Sequence, residues 1–108
     1  MNKLSIVICG ALLVMSSQTM AGNAEAGKEM AKKDCAACHG ADGNTPISPD
    51  IPKLAGQSAD YLVKSLQGYK SGVRKNPIMV PMSGKLSQRD MEDLAAFFAS
   101  QQGLVIFK

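Results

Sequence analysis

The sequence predicts an all-α fold of three main helices joined by two long loops, within a single domain. Three observations carry that expectation. Apolar residues recur at helical spacing in three separate segments. No segment shows the period-two alternation expected of a half-buried strand. Between the periodic segments lie stretches dense in turn-forming residues.

The first helix is expected over 24–34, where Ala24, Gly27 and Ala31 share one face and Lys28, Lys32 and Lys33 lie elsewhere. Residues 40–58 are rich in Gly, Pro, Asp, Asn and Ser and read as loop. Ser58 is a fitting N-cap for the second helix, with Asp60 favourable in its first turn. Leu62, Leu66 and Tyr69 keep helical spacing, and Gly72 ends the element. Residues 72–86 contain Pro77, Pro81 and Gly84 and are expected to be loop again. Ser87 and Asp90 have the spacing of a capping box at the start of the last helix. Met91, Leu94, Ala95 and Phe98 follow at i, i+3, i+4 and i+7, Gly103 marks the end, and 104–108 form a short tail. Two loops of this length are uncommon in a small domain unless they serve a site.

The segment 1–21 stands apart. Lys3 is followed by an almost unbroken apolar run from Leu4 to Met15, a polar stretch, and Met20-Ala21-Gly22. This order is that of a secretory signal peptide cut after Ala21, with Ala24 or Ala26 as alternative sites. The run is shorter than the ~20 residues a membrane-spanning helix needs, so stable membrane insertion is not expected. Cys9 suggests a lipid-attachment site, but Ile6-Val7-Ile8 lacks the small residues such a site prefers. The expected product is an exported domain spanning 22–108, located in the periplasm.

The whole chain carries a net charge of +3, and loss of Lys3 removes one unit. That balance does not indicate nucleic-acid binding. Aromatics are few: Tyr61, Tyr69, Phe97, Phe98 and Phe107, with no Trp. A domain this small buries a thin core, so a staple or an apolar cofactor is expected to supply the missing volume.

The feature that identifies such a cofactor is Cys35-Ala36-Ala37-Cys38-His39. Two thiols so spaced at a helix end can each add to a haem vinyl group, and the following histidine is held under the iron. Other chemistries compete for the motif. A zinc site needs two further ligands, but residues 22–108 hold no other Cys or His. A thioredoxin-like pair needs a βαβ context. A disulfide between neighbours so close would staple little chain. With no further cysteine after Cys38, one haem is the limit.

At this point the sequence resembles a family. Cys-Ala-Ala-Cys-His-Gly-Ala-Asp-Gly-Asn (35–44), Pro-Lys-Leu-Ala-Gly-Gln (52–57) and Leu-Ser (86–87) look like class I c-type cytochromes. The likeness is to single halves of the periplasmic two-haem bacterial cytochromes and to small one-haem proteins akin to them. It implies the class I cytochrome c fold, three main helices and two long loops around one covalently bound haem c. It implies attachment through Cys35 and Cys38 and axial ligation by His39. The sixth ligand in this class is usually a methionine, seven residues before the leucine of the Leu-Ser helix start. Met79 meets that rule with Leu86, and Met82 falls where the family has an apolar packing residue. Met30 lies on the wrong side of the site, and Met91 belongs to the core stripe of the last helix. The resemblance further implies that Pro52 offers its backbone carbonyl to the ligating histidine, and that Gly27 packs the first helix against Leu94 and Phe97 or Phe98. It places Arg74 near a haem propionate, a solvated surface arginine being the alternative. Tyr61 and Tyr69 are compatible with haem contact or plain helix packing.

The expected function is that of a soluble electron carrier and not an enzyme, since two protein ligands leave no iron position for substrate. Its expected partners are redox proteins, an oxidase or reductase and a quinol-oxidising complex. A haem-containing subunit of a larger respiratory redox complex is the alternative, with the apolar tail 104–107 as a docking element. A peroxidase-like role would require an open iron.

Overall fold

The computed structural model describes residues 22–104, together with Gly10. The expected signal segment, Gly10 aside, and the tail beyond Leu104 lie outside the described residues. Five helical segments run in the order α1 (Ala24–Asp34), α2 (Ala36–His39), α3 (Ala59–Ser71), α4 (Met79–Gly84) and α5 (Gln88–Ala99). No strand occurs among the described residues.

The three long helices begin and end for local reasons. Asn23 caps α1, its Oδ1 accepting from the N–H groups of Glu25 and Ala26 at 3.0 and 3.1 Å. Glu25 in its first turn and Lys32 and Lys33 in its last suit the helix dipole. Ser58 caps α3 through Tyr61 N–H, and Gly72 ends it in the left-handed region at φ 82°. The expected capping box of α5 is formed: Asp90 N–H donates to Ser87 Oγ at 3.0 Å, and Ser87 N–H to Asp90 Oδ2 at 2.9 Å.

The frame is the crossing of α1 over α5. A Cβ on Gly27 would lie 2.0 Å from the Asp93 carbonyl oxygen and 3.0 Å from Phe97 Cβ, so only glycine permits this approach. Phe97 is therefore a partner of Gly27, as expected. Leu94 is instead buried in the shared core with Ala31, Leu62, Leu86, Met91, Ala95, Phe97 and Phe98. The Phe97 and Phe98 rings meet at 5.1 Å and 57°. On the other side α3 packs against both α5 and α4.

Three local details differ from the sequence expectation. Residues 79–84 were expected as loop yet are helical: Pro81 lies in the first turn of α4 and costs only the bond to Pro77 O. On either side of it, Val80 N–H reaches Asn76 O at 3.1 Å and Met82 N–H reaches Ile78 O at 3.2 Å. Asn76 Oδ1 accepts from Ile78 and Met79 N–H, both at 2.9 Å, and starts the turn. The attachment motif forms its own short helix α2, continuing from α1 with Cys35 N–H bonded to Ala31 O at 2.9 Å. Finally, α5 stops at Ala99 rather than near Gly103. Ser100 Oγ and Gln101 Nε2 both donate to Phe97 O, drawing off a terminal carbonyl. The chain then turns back, and Leu104 N–H reaches Ala55 O at 2.8 Å.

Candidate functional site

The site is built where α1 ends and α2 begins. Cys35 is the residue between the two helices and Cys38 lies within α2; both thiols are free and half-buried. His39 closes α2 and is buried, 7% exposed. Its N–H bonds back to Cys35 O at 3.0 Å, so the imidazole is carried by a closed turn that also holds both thiols.

The loop after His39 is folded to orient that imidazole. Gly40 turns the chain at φ 88°, where an added Cβ would meet Thr45 O at 2.7 Å. Ile47 N–H then returns to Cys38 O at 3.0 Å, and Leu54 N–H to Gly43 O at 2.7 Å. These bonds bring the Pro52 carbonyl to His39 Nδ1, 2.9 Å away. A carbonyl oxygen only accepts, so Nδ1 carries the proton and Nε2 keeps its lone pair for a metal. The Pro52 side chain itself is exposed; its backbone is what the site uses.

Burial, reinforced by the Asp34 carboxylate and Cys38 and opposed by Lys85, pushes the Cys35 thiol up to about 11. In the chain before attachment it is therefore S–H at neutral pH. Bonding of this sulfur to one carbon of a haem vinyl group, with a proton delivered to the other, would give a thioether with no net oxidation.

The end of α4 is tied to this turn by an ion pair. Met79, Met82 and Ser83 share the helix's inner side at i, i+3 and i+4; the methionines are half-buried and Ser83 is fully buried. Lys85, just after α4, reaches Asp34, just before Cys35, at 3.4 Å. This ion pair brings the methionine helix to the thiol-bearing turn. Lys70 of α3 donates to the Leu86 carbonyl and holds the same end of α4. Sequence reasoning missed these ties, which join residues far apart in the chain; the one local signal for α4 itself was Asn76-Pro77, a turn-starting pair just ahead of it.

The remaining candidates separate from this cluster. Met91 is 1% exposed within the core, and Met30 packs against the same core. Arg74 is exposed and drawn onto α3, donating to Ser65 Oγ at 2.8 Å with its guanidinium 4.8 Å from the Tyr69 ring centre. Tyr61 is half exposed at 50%.

A family model described as Cytochrome c matches residues 24–102. The chain belongs to the cytochrome c family. It is 43% identical over 114 residues to cytochrome c4 of Stutzerimonas stutzeri, a match covering 97% of this chain and 53% of that protein. It is 44% identical over 85 residues to cytochrome c-554(548) of Halomonas halodenitrificans, covering 76% of this chain and 100% of that one. The crystal structure of reduced recombinant cytochrome c4 from Pseudomonas stutzeri matches with a TM-score of 0.71 at 47% identity. That match covers 79% of this chain and 48% of the crystallised one. The chain thus spans about half the length of its cytochrome c4 relatives.

This cytochrome carries haem c, and the donor set fits it. Paired half-buried thiols, a buried imidazole with Nε2 free and the thioethers of α4 are sulfur and nitrogen donors suited to a covalently held iron porphyrin. Cys35 and Cys38 would hold the porphyrin, and His39 would ligate its iron.

Proposed function

We propose that this cytochrome is an exported one-electron carrier with His39 and Met79 as axial ligands, working in the periplasm after loss of residues 1–21. The observation that carries this reading is the 2.9 Å contact between His39 Nδ1 and the Pro52 carbonyl, which fixes the ring with Nε2 toward the iron side. The haem supplies the redox couple. The chain supplies one imidazole, one thioether and a low-polarity surround, which favour the reduced iron. Met79 begins α4, where Asn76 fixes its backbone. Met82 lies one turn on, and Arg74 would have to leave Ser65 and Tyr69 to meet a propionate. No helix among the described residues is long and apolar enough to cross a membrane. The partners are redox proteins, an oxidase or reductase and a quinol-oxidising complex, met through small transient contacts. With both axial positions filled, no substrate chemistry takes place at the iron. The ferrous protein is therefore expected to bind carbon monoxide slowly at neutral pH and to titrate as one reversible one-electron wave. Rapid carbon monoxide binding with a high-spin spectrum would instead indicate an enzyme.

The exposed Leu104, where the apolar tail begins, favours a second reading, a haem-bearing subunit of a larger respiratory redox complex. Size exclusion of native periplasm separates the two, since a free carrier elutes at the mass of one domain.

A further inference from the structure

Chain termini are usually loosely held, yet the start of the described domain is clamped to α5. A Cβ on Gly22 would lie 1.9 Å from the Glu92 carbonyl oxygen and 2.8 Å from the Asp93 nitrogen. Asn23 N–H donates to Asp93 Oδ1 at 2.7 Å. Asp93 is 6% exposed on the face of α5 that meets α1, a rare place for a carboxylate without full partnering. Among the described residues its one side-chain cation is Arg89, at 3.4 Å and 53% exposed. An ionised carboxylate accepts up to about four hydrogen bonds, and the two recorded contacts, from Asn23 N–H and Arg89 Nε, both fall on Oδ1, so Asp93 retains capacity one residue from Gly22.

We infer that removal of residues 1–21 creates at Gly22 an α-ammonium that pairs with Asp93 and completes the α1–α5 junction. The inference rests on the export reading above. Water, delivered by the signal-cleaving protease, splits the Ala21–Gly22 peptide bond. The carboxylate leaves with the leader, and the new amine on Gly22 takes a proton from solvent. A neutral amide thus becomes a cation one residue from the N–H that Asp93 already holds. The surrounding charges favour it. Glu25 lies on α1, Asp60 and Lys64 line the groove that Gly22 shares with α3, and α5 adds Glu92, Arg89 and Asp93. Acids outnumber bases in this corner. Gly22 is also the residue type the position demands, because any side chain would collide with the α5 backbone.

The test uses the holoprotein purified from periplasm. Intact mass is expected to show Gly22 as the first residue. A form retaining Ala21 moves the ammonium by ~3.8 Å. It is expected to unfold with an equilibrium constant about 5- to 30-fold larger in the native background, and with no change in Asp93→Asn. Equal losses in both backgrounds would mean crowding, overturning the pair while leaving export intact. A first residue other than Gly22 would overturn the cleavage position and the pair together. Nitrogen NMR of the ferrous wild type needs no variant. The Gly22 amine is expected to titrate above the ordinary ~7.7–8.0, because the carboxylate favours its charged form. An ordinary or lower value would overturn the pair.

Discussion

The two ends of the core are held by different forces. At the α1–α5 crossing, backbone meets backbone with no room for a methyl group at Gly27, and Phe97 and Phe98 pack together in the adjoining core. At α4, beside its packing on α3, the ties to the rest of the chain are polar. Asn76 caps the first turn, Lys85 reaches Asp34, Lys70 reaches Leu86 O, and Met79 and Met82 are only half-buried. The first region is a packed joint that resists local opening. The second is a short helix without a full set of internal hydrogen bonds, placed by ties that water and salt can weaken. In the proposed site the histidine side inherits the rigid joint through α1 and α2, and the methionine side inherits the weaker one. When the site opens, the methionine ligand is the one expected to leave first.

Changes at the joint should be the most costly. Gly27→Ala forces a methyl into the Asp93 carbonyl and is expected to lose about 3 kcal/mol of stability in denaturant unfolding of the holoprotein. A loss under about 1 kcal/mol would show that the helices can part and that the joint is not rigid. On the methionine side, Asn76→Ala removes the cap of α4 and is expected to cost about 1 kcal/mol. Its signature is loss of the methionine-dependent far-red band on heating, before the haem environment melts as a whole. Lys85→Ala breaks an ion pair whose lysine is 52% exposed. It should cost about 0.5 kcal/mol at low salt and nothing measurable at high salt. A larger loss would make this contact a major tie between the two sides. Ser83→Ala runs the other way. Its buried hydroxyl has no hydrogen-bond partner among the described residues, so removal should be neutral or stabilise by up to about 1 kcal/mol.

The same contrast decides what could be read from the sequence. The joint was legible because helices α1, α3 and α5 announce themselves through caps, apolar spacing and terminal glycines, and because Cys35, Cys38 and His39 form one contiguous motif. The methionine side was less so. Pro77, Pro81 and Gly84 signal a loop unless Pro81 is recognised as a first-turn residue, which depends on Asn76 capping ahead of it. The Pro52 carbonyl came from the resemblance, since no periodicity marks a backbone acceptor thirteen residues from its histidine. The Lys85–Asp34 and Asn23–Asp93 contacts join residues 51 and 70 positions apart, and nothing local encodes them.

The identity of the sixth ligand is the point on which the whole account turns. The deciding measurement is the far-red sulfur-to-iron charge-transfer band of the ferric holoprotein in Met79→Ala and Met82→Ala. Loss of the band in Met79→Ala, with its retention in Met82→Ala, is the predicted result. Loss in Met82→Ala with retention in Met79→Ala would contradict it and move the iron ligand one turn along α4.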